Sequence, residues 1–424
     1  MVSVSEQGKV KQMHKNKVID ITFFVLLLFV VAAVMLTLFY RQTIGNPNNY
    51  HSDMKAYILE MQGLDSGYSF PYPVFFKLSA FIHLFAAPEL SVAIATMLLN
   101  VLSMVLLKIF FNRLALKELS ESFPKCAWLS GIVLSLLSAS LLFISMLYLP
   151  NETYLPGIKF KYLGVFTANP FHNATYMAAR PFAILAFFWY AKLLTCYEEG
   201  YMGKNSQGKG VILRDYVLFA IFLLLATMTK PSFTIVLVGA AGLIMVYRMF
   251  RSRFRNFVPT LLLGVCFIPT FVDLLYQYKG VFVPEEGAEG GMGFGLGTVW
   301  SLYCNNMPAA ICLAVGFPLV VLLLNFKELK NNTIYRFSWQ LYLMSLAMAY
   351  LLYEKGFRQP DFNFSWGYMY GIFFSFVGSL LVLLKATAAK KRPLLLGVQW
   401  LVYLGHLGCG LYYFLGIFRG GHYY

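Results

Sequence analysis

The sequence predicts an all-α fold, a polytopic bundle of about eleven membrane-spanning helices, on three observations. Of its 424 residues, 59% are hydrophobic and only 12% are charged, which lies outside the usual range of soluble domains. Runs of about twenty apolar residues recur, each long enough to cross a hydrocarbon layer of roughly 30 Å as a helix. Lysine and arginine gather between alternate runs. The formal charge of +15 therefore reads as a topology signal and not as a nucleic-acid-binding surface.

The first run, residues 19–40, is longer than a signal-peptide core and lacks a small-residue cleavage site, so it is expected to be a retained span. Further spans are expected at 90–111, 127–149, 176–196, 216–228, 232–249, 257–275, 307–325, 337–353, 366–384 and 394–417. With a cytoplasmic amino terminus, Lys9, Lys11, Lys15 and Lys17 fall inside. The same side receives Arg113, Lys117 and Lys125, then Lys204, Lys209 and Arg214, then Arg248, Arg251, Arg253 and Arg255. It also receives Lys327, Lys330 and Arg336, and finally Lys385, Lys390, Lys391 and Arg392. This is the bias expected of cytoplasmic loops. Residues 50–85, 150–175, 276–306 and 354–365 then lie outside, and they hold Asp53, Glu60, Asp65, His172, Glu285, Glu286, Glu289, Arg358 and Asp361. Ion-coupled carriers more often bury such groups near the midplane, so work at the outer interface is expected.

The first outer loop contains an amphipathic pattern. Met54, Tyr57, Ile58, Met61 and Leu64 share one helical face, which predicts a helix lying in the interface. Ser52 is expected to cap it and Asp53 to sit in its first turn, where an ionised carboxylate is favoured. Taken alone, that structural role accounts for Asp53 slightly better than any chemistry. The glycine-rich stretch 287–297, "GAEGGMGFGLG", neither follows a strand nor opens a helix as a P-loop does; it suits an external loop that orders over a substrate, or an idle one. Asn151, Asn173, Asn331 and Asn363 begin N-x-[ST] tripeptides of little weight. The six scattered cysteines form neither a disulfide framework nor a metal spacing.

The stretch "SDMKAYILEMQG" is followed by "FPYPVFFKLSAFIHLFAAPELSVAIATMLLNVLSMVLL", and later "LLATMTKPSFTIVL" turns at Lys230 and Pro231. In order, these resemble elements of the GT-C superfamily, membrane glycosyltransferases that take sugar from a polyprenyl-phosphate carrier. The resemblance covers roughly the first 250 residues. A single transmembrane domain, 1–424, would thus comprise a GT-C-like module, 1–250, and additional helices, 251–424. Asp53 falls at the family's essential acidic position. Some relatives carry a second acidic residue there, whereas Met54 follows Asp53. "NPFHNATYMAARPF" and "FNFSWGYMYG" are motif-like but match no named subfamily.

The resemblance implies transfer of a sugar from a polyprenyl-phosphate donor to an acceptor hydroxyl on the extracytoplasmic side, by direct displacement with inversion. Asp53 would be the base, because a carrier phosphate already leaves readily and needs mainly fixed cations. Lys230, Arg358 and Arg180 are candidates for those cations, Arg180 also fitting a residue that snorkels to the interface. His172 is a candidate to bind the acceptor or the phosphate. Trp366 with Tyr368 is the candidate sugar platform, although belt anchoring explains such aromatics at least as well. His51 and Asp53 form an H-x-D pair to which a divalent cation, Mg or Mn, could bind. The expected partners are the lipid donor and membrane lipids, with no nucleic acid, and the expected setting is a bacterial cell membrane. A lipid-linked glycan flippase or other transporter would explain the spans and outer cations without transfer chemistry; inverted repeats or broken helices would favour it, and the sequence shows neither. A surface-polysaccharide polymerase or ligase is a further alternative, favoured by arginine-rich outer loops.

Overall fold

The computed structural model describes residues 4–150, 155, 157–197, 213–281 and 291–421. The expectations attached to Asn151, Lys204, Lys209, Glu285, Glu286, Glu289 and residues 287–290 lie outside these. The chain is all-α. It begins with α1 (Val4–Ile44), the short α2 (Met54–Met61) and α3 (Pro73–His83), α4 (Pro88–Phe111), α5 (Lys117–Ser122) and α6 (Ala127–Ser140). There follow α7 (Ala174–Tyr197), α8 (Leu213–Thr229), α9 (Ser232–Arg251), α10 (Phe257–Val265) and α11 (Ile268–Val281). The last part holds α12 (Met307–Ala314), α13 (Gly316–Leu324), α14 (Glu328–Asn331), α15 (Thr333–Leu351), α16 (Ser365–Ala388) and α17 (Pro393–Phe418). Two described strands, β1 (Met292–Phe294) and β2 (Leu352–Glu354), pair antiparallel.

Among the described residues, six helices are long and apolar enough to cross a membrane, or up to eight if each of two bent pairs is one span. This fits a multi-pass membrane protein. The larger expected number includes α6 and α8, which have only 14 and 17 residues, and α15, whose sequence includes Arg336, Gln340 and several tyrosines. The two bent pairs were expected as single spans. Instead α10 and α11 meet at 47°, and α12 and α13 at 72°. Pro269 and Pro318 stand just past these breaks, where a proline removes an N–H and crowds the preceding turn.

The centre of the bundle is α16, buried almost along its whole length, with α15 packed closely against it and α7 reaching it through aromatic rings. Gly371 and Gly378 lie two turns apart on α16 and face Ser345 and Ser338 of α15, where a Cβ would collide with each serine side chain. Small residues at this spacing let two backbones approach closely, which is how helices associate where burial from water drives little. Phe187 of α7 stacks between Phe337 and Phe374, at centroid distances of 5.2 and 4.2 Å. At the other end of the first helices, Lys108 of α4 binds Asp20 of α1 at 2.7 Å and the Gly131 carbonyl of α6 at 2.6 Å.

The apolar run expected to be helical over 127–149 leaves the helix after Ser140 and continues as buried irregular chain. Non-helical backbone in such surroundings must find partners inside the protein. Asn169 Nδ2 donates to the carbonyls of Leu141 and Ile144, at 3.0 and 2.9 Å. Leu147 N donates to Leu313 O at 2.9 Å. His406 of α17 serves both this segment and the bent pair: its Nε2 accepts from Phe317 N at 3.0 Å, which leaves Nδ1 to donate to Ser145 O at 2.7 Å.

Replacing His406 by Leu strands one buried donor and one buried acceptor, at a cost of about 1–3 kcal/mol each. A clearly lowered thermal midpoint in detergent is expected for His406→Leu. An unchanged midpoint would show that the two breaks are held by other contacts.

Candidate functional site

The site begins where the chain enters α2. Ser52 Oγ does accept from Met54 N, at 3.4 Å, but Asp53 is the residue immediately before the helix and its side chain makes no capping bond. The carboxylate is turned elsewhere. Its Oδ2 accepts from Asn173 Nδ2 at 2.6 Å and from the Tyr57 hydroxyl at 3.1 Å, while Asp53 N donates to His172 O at 3.2 Å. The amphipathic reading of the loop holds: Met54 and Tyr57 are buried on α2, and α3 buries Phe75, Phe76 and Ser79. Tyr57 is locked edge-on against Phe70, Phe75 and Phe76. Leu64, expected on the same face, is exposed past the helix end. Asp65 closes a local turn by accepting from Gly67 N at 2.8 Å.

Asn173 joins two functions. Its Oδ1 accepts from Tyr176 N at 2.9 Å, capping α7, and also accepts from Lys230 Nζ at 3.2 Å. Lys230 lies in the turn between α8 and α9, at the Lys-Pro step read from the sequence. It further donates to Thr175 Oγ1 at 3.2 Å, which stands 3.1 Å from the Tyr57 hydroxyl. Asp53 and Lys230 are thus linked by one amide and by a pair of hydroxyls. The ammonium sits over the Trp366 ring at 4.6 Å and near Tyr72 at 5.8 Å, a favourable placement for a desolvated cation.

Trp366 is oriented in turn. Its Nε1 donates to Asn363 Oδ1 at 3.1 Å, and Asn363 Nδ2 donates to Glu354 Oε2 at 2.8 Å. Arg358 Nε lies 3.4 Å from both Glu354 Oε2 and Asp361 Oδ2. The His172 ring is buried between Tyr162 and Trp366, at 5.0 and 5.5 Å.

Burial dominates the electrostatics here. It raises the pKa of Asp53, against the opposing pull of Lys230 and the hydrogen bonds from Tyr57 and Asn173. It lowers that of Lys230 to about 8, with Asp53 opposing and Arg358 adding to the drop. His172 falls to about 3, chiefly by burial and further by His51 and Lys230, so its ring is neutral at ordinary pH. Glu354 is raised by burial, against Asn363 and Arg358.

Of the residues singled out from the sequence, Asp53, Lys230, His172, Trp366 and Arg358 come together. Arg180 and Tyr368 do not join them. Arg180 is wholly buried deeper in α7, donating to Ala168 O at 2.9 Å and lying over Tyr176 and Phe373 at 5.6 and 4.8 Å; it braces the irregular segment and does not snorkel. Tyr368 packs on Trp300 and Tyr342 at 5.1 and 5.9 Å. Two residues along a helix turn a side chain by about 200°, so Tyr368 cannot share the Trp366 face. His51 is exposed, and among the described residues no group of three or more His, Cys, Asp or Glu side chains gathers.

Asn173, Thr175, Tyr57, Tyr72, Glu354 and Asn363 went unrecognised as site residues. A signal existed for some of them: "NPFHNATYMAARPF" carries His172, Asn173 and Thr175, and "FNFSWGYMYG" carries Asn363 and Trp366. The assembled site offers a buried carboxylate with raised proton affinity, two cations and an indole face. No family model, curated protein or solved structure matches the chain.

Because Lys230 loses its charge as pH rises through about 8, affinity for an anion that does not itself titrate, such as sulfate, is expected to fall above that pH. The loss should disappear in Lys230→Met, whose affinity is low throughout. A parent titration that stays flat from pH 6 to 10, on a scale of roughly tenfold per 1.4 kcal/mol, would remove Lys230 from the anion site.

Proposed function

We propose that this chain is an integral membrane glycosyltransferase of the GT-C type. It would transfer a sugar from a polyprenyl-phosphate donor to an acceptor hydroxyl on the extracytoplasmic side, with inversion. The observation that carries this reading is the diversion of the Asp53 carboxylate away from helix capping and into a network with Lys230, beside Arg358. A carboxylate held for helix stability alone has no need of these partners.

In this reading Asp53 takes the proton of the acceptor hydroxyl as that oxygen attacks the anomeric carbon. The bond to the carrier phosphate breaks with its electron pair going to phosphate oxygen, and Lys230 and Arg358 stabilise the departing charge. Burial serves both roles, since it strengthens the base and makes the fixed cations more effective than in water. Trp366 offers the sugar an apolar face, held by Asn363. Neutral His172 supplies a hydrogen-bonding edge next to it.

The proposed topology has an inner amino terminus, an outer site and about eleven spans, with α6, α8 and α15 crossing as well. It is supported by a convergence: loops assigned outside by charge bias alone contribute Asp53, His172 and Arg358 to one neighbourhood, which Lys230 joins from the step between the expected spans 216–228 and 232–249. A bacterial cell membrane remains the proposed setting. A lipid-linked glycan flippase is the second reading, and the two bent helix pairs favour it. Against it, the break between α12 and α13 is closed by His406. A polymerase or ligase of surface polysaccharide would use the same chemistry on a longer acceptor.

Asp53→Asn keeps an acceptor for Asn173 and Tyr57 but removes the base. Turnover with a polyprenyl-phosphate sugar is expected to drop by at least about a hundredfold while donor binding survives. Near-parental transfer by the purified variant would refute Asp53 as base and return the flippase reading to the front.

A further inference from the structure

We infer that Glu354 is a positioning residue that sets both cations of the site, and that Gly293 of β1 serves to hold it. The inference rests on the phosphate-binding reading above. Glu354 is buried and its Oε2 touches two partners that lead in different directions. One is Arg358 Nε, at 3.4 Å, which Asp361 also holds at 3.4 Å. With Nε anchored from two sides, and no other contact to the guanidinium among the described residues, the two terminal amino groups are left as a fork, the geometry that takes phosphate oxygens in a bidentate manner. The other partner is Asn363, at 2.8 Å, which accepts from Trp366 Nε1 at 3.1 Å, and the Trp366 ring carries Lys230 at 4.6 Å. A single carboxylate thus orients Arg358 directly and Lys230 through an amide and an indole.

Glu354 is itself fixed by the ribbon. It ends β2, opposite Met292 of β1, and Lys355 N donates to Gly291 O at 2.8 Å. The neighbouring pair is Tyr353 with Gly293, and the Tyr353 ring lies where a Cβ of Gly293 would be. A glycine at that register position is what a ring folded across a narrow strand requires, since any side chain there would lift it. Sequence alone reads the glycine pattern as a flexible cover; within its described part Gly293 seats Tyr353, while Gly295 makes room first for the Thr298 hydroxyl.

The test uses the whole chain in lipid nanodiscs, with farnesyl phosphate as probe and tryptophan fluorescence as readout. Glu354→Gln preserves shape and the bond from Asn363 but removes the charge that anchors Arg358. Gly293→Ala acts only through the ribbon. Each should weaken farnesyl phosphate binding about tenfold, corresponding to about 1.4 kcal/mol. In transfer assays kcat/KM for the lipid donor should fall through a lower kcat as well as a higher KM, because the two cations act on charge that develops as the phosphate departs. Gly242→Ala, on α9 where a Cβ meets nothing within 4 Å, should match the parent. Parental affinity in both Glu354→Gln and Gly293→Ala overturns the positioning role and leaves the glycosyltransferase reading standing. A parent that does not bind farnesyl phosphate overturns both.

Discussion

One amide organises this protein's candidate site. Asn173 accepts from Tyr176 N and from Lys230 Nζ with the same oxygen, and donates to Asp53 with its nitrogen. The first of these bonds starts α7, the helix on which α4 and α8 pack. The other two hold opposite charges apart at a fixed spacing. Direct contact would neutralise the pair and hide it; an intervening amide keeps both charges oriented and available. The start of the scaffold helix and the geometry of the site are therefore one event, and the position of Lys230 cannot relax without disturbing α7.

Around that point the fold answers a general demand, that polar groups removed from water find partners within the chain. Buried irregular backbone after α6 is met by Asn169 and His406, and the bent pair α12–α13 by His406 as well. The cationic side chains follow the same rule by other means. Lys108 has a carboxylate and a carbonyl, and Lys230 has two oxygens and an indole face; Arg180 meets the demand only in part, with one terminal nitrogen on a carbonyl and the guanidinium over two rings while, among the described residues, Nε and Nη1 have no hydrogen-bond partner. Arg358 differs in being only partly buried, with Nε, among the described residues, the nitrogen that faces Glu354 and Asp361.

Much of this was legible in the sequence, for identifiable reasons. Apolar runs locate spans because the length of a hydrocarbon layer is fixed, so α4, α7, α9, α16 and α17 lie within a few residues of where they were expected. Lys-Pro at 230–231 marks a helix break by local sterics. Asp53, Lys230 and Arg358 could be chosen because ionisable groups in such a chain are few. The failures share a different cause. An apolar residue run cannot tell whether it continues as helix past Ser140, since what decides is the supply of partners from Asn169 and His406, remote in the chain. Asn173 and Asn363 looked like incidental tripeptides because an amide reveals its role only by what faces it.

The sequence by itself determined that the chain is helical, apolar and multiply folded through a low-dielectric layer, and which few ionisable groups stand near the ends of its runs; composition and spacing are local quantities, readable along one dimension. The tertiary structure alone decided that Asp53 serves a network and not a helix end, that Trp366 enters the site while Tyr368 turns to the core, and that Glu354 stands behind both cations. Those outcomes depend on the direction of side chains from segments more than a hundred residues apart, and hydrogen bonds, unlike burial, are satisfied only by geometry.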